Sequence, residues 1–161
     1  MNLRGGLGGD ALYELTSNTD PSITVSGPLL GGSASLTVGW GELKGRDAIV
    51  GTTLSSSGTV TVTNGGFWNL SGTATIGSES GGAVIVEDAS EFHTTTAMLG
   101  RNCNFGGFPC GSGTVTLRDP GSRWLSTLIY VGGSDLGSAG SGTINIEFGA
   151  EVEVQSRLRL W

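Results

Sequence analysis

The sequence predicts an all-β fold: a parallel β-helix (β-solenoid) of about five coils, each with three short strands. Two observations carry that expectation. Five stretches repeat one pattern, at 34–51, 58–77, 82–100, 113–132 and 142–161. Within each copy the apolar residues alternate by two, and they fall into columns when the copies are aligned. A repeat this short cannot enclose its own apolar face, so it must stack on its neighbours. Thirty glycines without a collagen period, set between short Val, Ile and Thr runs, fit a chain with many corners.

The elements follow in order. Residues 1–33 read as an irregular N-terminal coil or cap, in which Ser22–Ser26 resembles the opening strand of a further copy. The opening strands proper place Leu36, Val60, Val84, Val115 and Ile144 in one column. Val38, Val62, Val86, Leu117 and Ile146 form the next. A second strand contributes a bulky column of Trp68, Phe92, Trp124 and Val152. The third strand supplies Ala48, Ala74, Ala97, Ile129 and Leu158, then Val50, Ile76, Leu99, Val131 and Leu160. Alternation by two sends all these side chains to one side of their strands. Coils spaced by about 4.8 Å would build a rod roughly 24 Å long. The general rule for parallel crossovers makes the winding right-handed. The rival architecture is an antiparallel sandwich of the same strands.

Outward charges supply an independent check. One ladder reads Glu87, Arg118, Glu147 and another reads Glu91, Arg123, Glu151. In-register stacking sets each arginine between two carboxylates, which favours the fold by roughly 0.2–1 kcal/mol per pair. The closing positions are spaced by 26, 23, 32 and 29 residues. The coil itself hardly changes, so the variation falls in the loop after the third strand. Arg101–Ser112 and Gly133–Ser141 are the long versions, and both leave the same corner, side by side. Cys103 and Cys110 in the first loop could close a disulfide or stay free thiols. Arg101, Phe105, Phe108 and Asp135 form the candidate contact site, the alternative being that both rings fold back on the rod.

A net charge of −6 and a pI near 4.6 argue against nucleic acid and against docking on anionic lipid. No apolar run has the roughly 20 residues a membrane helix needs. The first ten residues hold no apolar signal core. The last repeat stops at Leu160-Trp161 where the other copies carry a glycine, which suggests a piece of a longer protein.

No catalytic, metal or cofactor pattern emerges: no nucleophile elbow, phosphate loop or calcium nonapeptide occurs. His93 reads as a surface residue near Glu91. Glu87, Asp88, Glu91, Glu151 and Glu153 are the candidates for a glycosidase pair. Thr59, Thr61, Thr114 and Thr116 suggest an ice-binding ladder, but Ala83 and Ile85 interrupt it. The outward row Ile49, Thr75, Met98, Tyr130, Arg159 suggests a partner surface. Uncapped coil ends invite a homo-oligomer or end-to-end stacking.

The stretch from Gly113-Thr-Val-Thr-Leu-Arg-Asp-Pro-Gly-Ser-Arg-Trp to Leu128-Ile-Tyr-Val-Gly132 resembles the repeat of autotransporter (type V secretion) passengers. It is also similar to the short β-strand repeat of PEP-CTERM-sorted surface proteins. Gly58–Gly77 matches too, while Gly82–Gly100 and Gly142–Trp161 are looser, so the resemblance covers about 34–161. It implies a non-enzymatic bacterial surface or secreted rod, a stalk or adhesin scaffold that meets a surface glycan or protein ligand. The repeat brings no catalytic residues with it. The family's signal, barrel and sorting segments do not appear in these 161 residues, so the extracellular location is implied by the resemblance alone.

Overall fold

Short alternating Val, Ile and Thr segments separated by glycine corners favour strands that pair with the next copy rather than with themselves. The computed structural model describes residues 2–4, 11–15, 22–26, 32–52, 56–101 and 110–161. Its strands run β1 Asn2–Arg4, β2 Ala11–Leu15, β3 Ser22–Ser26, β4 Gly32–Gly39, β5 Glu42–Gly45 and β6 Asp47–Val50. They continue with β7 Ser56–Thr63, β8 Phe67–Leu70, β9 Thr73–Ile76, β10 Gly81–Val86, β11 Glu91–Leu99 and β12 Ser112–Leu117. The last are β13 Arg123–Val131, β14 Gly133–Ser134, β15 Gly137–Ser138, β16 Ser141–Ile146 and β17 Glu151–Leu160.

The architecture is a β-solenoid of about five turns built from parallel sheets. The opening strands form one sheet in the order β16-β12-β10-β7-β4-β2. The second and third strands form the other, ordered β1-β3-β6-β9-β11-β13-β17, with β5 and β8 alongside. Registers match the repeat residue for residue: Val60 pairs with Val84, Val84 with Val115, and Val115 with Ile144. The second and third strands are separate in the early coils and fuse in β11, β13 and β17, bending near Thr95 and Thr127. The parallel pairing excludes the antiparallel sandwich; only the β14–β15 hairpin is antiparallel among the described residues.

The N-terminal segment departs from expectation in detail. Ser22–Ser26 is a closing strand, with Ile23 opposite Ala48 and Val25 opposite Val50. The opening strand of that coil is β2, which sets Tyr13 against Leu36. Opening and closing strands share the same alternation, and the closing glycine that tells them apart is Ser26 here.

The core runs along the axis. Leu43, Trp68, Phe92 and Trp124 stand in one column and are all sealed from solvent. Trp68 stacks on Phe92 at 4.7 Å and Phe92 on Trp124 at 5.6 Å, spacings imposed by the strand separation itself. Such stacking adds about 0.5–1.5 kcal/mol per pair beyond area burial. A polar rung crosses this apolar interior. Trp124 Nε1 donates to Thr94 Oγ1 at 3.3 Å, Thr94 donates to Ser126 Oγ at 2.9 Å, and Ser126 donates to the Leu128 carbonyl at 3.0 Å.

The closing glycines have two reasons to be glycine. Gly77 and Gly100 hold φ of 72° and 70°, where a side chain is strained. They also lie where a Cβ would come within 2.2 Å of the Ser112 carbonyl oxygen and 2.1 Å of the Ser141 carbonyl oxygen. The chain closing one coil thus brushes the chain that opens a later one.

Candidate functional site

The second strands present an outward face that carries seven ionisable side chains in two rows. Register sets Glu42, Phe67, Glu91, Arg123 and Glu151 in one row. Lys44, Asn69, His93, Leu125 and Glu153 form the row beside it. Glu87, Arg118 and Glu147 follow the paired ends of β10, β12 and β16, so both charge ladders stack in register, yet the ion pairs are not all the expected ones. Arg118 Nη1 lies 3.7 Å from Glu87 Oε2, and among the described residues it makes no ion pair with Glu147. Arg123 pairs with Glu153, diagonally, rather than with Glu91 or Glu151. A guanidinium on a long stem reaches past its register partner, so Cβ adjacency does not decide its contact.

Glu91 is taken by His93, whose Nε2 lies 2.9 Å from Glu91 Oε2 without the alignment of a hydrogen bond. The imidazole also meets the Phe67 ring edge to face at 4.6 Å. Two coils before Glu91, Glu42 accepts from Asn69 Nδ2 at 3.1 Å and pairs with Lys44 at 2.8 Å. Those two contacts, Lys44 first, hold its carboxyl below the usual carboxylate range. The Glu42 cluster was readable by extending the ladder rows two copies further back.

Asp47 ties two coils together. Its Oδ1 accepts the backbone N–H of Thr73 at 2.8 Å, and its Oδ2 accepts from Arg46 Nε at 2.7 Å. The Thr73 bond, joined by Arg46 and opposed by burial, depresses its carboxyl pKa. Asp88 accepts from Thr63 Oγ1 at 2.6 Å. Glu87, Asp88, Glu91 and Glu153 are thus each engaged by a neighbour, while Glu151 is exposed. No group of three or more His, Cys, Asp or Glu able to hold a metal occurs among the described residues.

The loop corner is partly described. The feet of the two loops stack: Gly140 donates its N–H to the Gly100 carbonyl at 2.8 Å, and Ser141 donates to that of Gly111 at 3.0 Å. Arg101 is exposed at the start of the first loop, and Asp135 is exposed at the tip of the β14–β15 hairpin. Leu136 beside it is 92% exposed. Cys110 is disulfide-bonded. Cys103, Phe105 and Phe108 lie outside the described residues.

One other surface differs from the sequence expectation and a second agrees with it. The third strand's outward row is in register, but Thr75 and Tyr130 are buried within the chain itself, so it is not an open partner face. From β4 to β16 the opening sheet's outward face has three uncharged rows, starting at Ser33, Ser35 and Thr37, and in β2 the charged Glu14 stands opposite Thr37. Ala83 and Ile85 sit in the middle of two of them, and Gly81 in the third. No helix among the described residues is long and apolar enough to cross a membrane. No family model, curated protein or solved structure matches the chain.

Proposed function

We propose that the chain is a non-enzymatic structural or adhesive β-helical rod of a bacterial surface or secreted protein. The observation that carries this reading is the buried column Leu43–Trp68–Phe92–Trp124, which runs unbroken through four successive coils. A rod with a continuous core resists bending and holds its loops at fixed heights. Contacts belong to the corner where Arg101 and the Asp135 hairpin emerge, because insertions there leave the coils unchanged. The engagement of Glu87, Asp88, Glu91 and Glu153 by neighbours supports a solvated face over a hydrolytic pair.

The test is a labelled chain applied to arrays of surface polysaccharides and to intact cells. Binding should be lost when residues 102–109 and 134–137 are replaced by Gly-Ser linkers, with the rod still folded. No polysaccharide should release reducing ends. Release that disappears in Glu91→Gln or Glu153→Gln would overturn the reading in favour of a carbohydrate-cleaving solenoid.

A further inference from the structure

The last coil leaves an apolar surface and two strand edges without a neighbour. β16 and β17 are the outermost strands of their sheets. Between them opens a cleft of about 490 Å³ lined by Ile144, Ile146, Val152, Val154, Leu158 and Leu160. Leu158 is 51% exposed and Leu160 70%. An unpaired edge over an apolar floor is a template for another strand.

The sequence of β17 says which strand. It reads Glu-Val-Glu-Val-Gln-Ser-Arg-Leu-Arg-Leu, acids in the first arm and arginines in the second. The strand bends where its pairing with β13 shifts, between Val154 and Arg157, leaving two equal arms. We propose that the 161-residue chain associates tail to tail with a second copy of itself, β17 pairing antiparallel with the partner's β17 about Gln155. That register brings Glu151 opposite the other copy's Arg159, and Glu153 opposite its Arg157. The same register sets Val152 against Leu158, which closes the cleft. Cross-strand opposite charges favour such a pairing, and like charges oppose it.

The remaining groups permit it. Glu153 already takes Arg123, but a carboxylate can accept from two guanidinium groups. Arg159 Cζ lies 3.8 Å from the Trp161 ring centroid, and a guanidinium stacked on a ring can still donate from its edge. β16 has no charged residue, so it creates no conflict when it meets its own copy. A second copy stacked head to tail in the ordinary parallel register is the poorer occupant. Trp161 donates its N–H to the Val131 carbonyl at 3.1 Å, as Gly132 does to that of Leu99, so an indole stands where earlier coils have glycine. The two-fold contact is isologous and closed, and therefore ends at the dimer. This inference does not rest on what the rod binds.

Sedimentation of the chain over a range of concentrations tests it, with circular dichroism as the check on folding. A monomer–dimer equilibrium without larger species is expected. E151R/E153R and R157E/R159E should each weaken self-association by roughly 100-fold, since every cross-strand pair becomes repulsive. Mixed in equal amounts, the two variants should recover the dimer, and the fourfold swap E151R/E153R/R157E/R159E should self-associate like the parent. A monomer at every concentration overturns the proposal. So does growth into open filaments, which marks head-to-tail stacking, and so does a folded mixed pair that fails to associate.

Discussion

Leu99 and Leu160 occupy the same column of the rod, and Val131 stands between them. Leu99 is fully enclosed, whereas Leu160 is 70% exposed. Strand, register and residue type are the same, so the difference comes only from having a coil on both sides. In this architecture burial belongs to stacking rather than to any single repeat, and stability should be a sum of neighbour contacts.

That contrast can be broken by measurement. Leu99→Ala should cost about 2–5 kcal/mol in urea unfolding, while Leu160→Ala should cost under about 1 kcal/mol at low protein concentration. Equal losses would mean that coil position does not govern burial. The closing glycines extend the comparison. Gly100→Ala should cost about 2–4 kcal/mol, combining a left-handed backbone with a collision at the Ser141 carbonyl. Gly132 has φ of 79° but nothing nearer than 3.4 Å to its absent Cβ. Gly132→Ala should therefore show only the backbone cost, about 1–2 kcal/mol. If the two variants unfold at the same urea concentration, the close passage between coils has no energetic weight.

A carboxylate that bridges coils should outweigh one that bridges nothing. Asp47→Ala should lose about 1–2 kcal/mol at neutral pH, because the Thr73 N–H is left without its acceptor. Glu151→Ala should stay within about 0.5 kcal/mol. The folded-state pKa of Asp47 is depressed, so its contribution is complete above the ordinary carboxylate range. It fades as pH falls through the lowered value, and the gap between parent and variant should close in strong acid. A gap that persists there would assign the loss to packing. Arg118→Glu should cost about 1 kcal/mol or less, by setting like charges beside Glu87.

The columns were legible because period-two alternation and a recurring glycine are backbone requirements, and these repeat wherever the coil repeats. Leu43 could have been added to the bulky column on the same grounds. Ser22–Ser26 was misplaced because alternation marks a strand without saying which side of the coil it serves. The Arg123–Glu153 diagonal was not legible, since register fixes where a long side chain starts and not where it ends. The outward row at Thr75 and Tyr130 failed for a related reason: a side chain pointing away from the core can still be covered by its own chain. Of the candidate site, the stacked loop feet followed from the loop lengths. The link between Glu91 and His93 followed from their spacing on one strand.

The residue-for-residue match between coils gives the molecule the property of a ruler. Duplicating one coil, such as residues 82–112, would move the two ends apart by about 4.8 Å while every groove, rung and loop above it kept its compass bearing. Distance along the axis can then be set in whole steps, independently of what is displayed at each height.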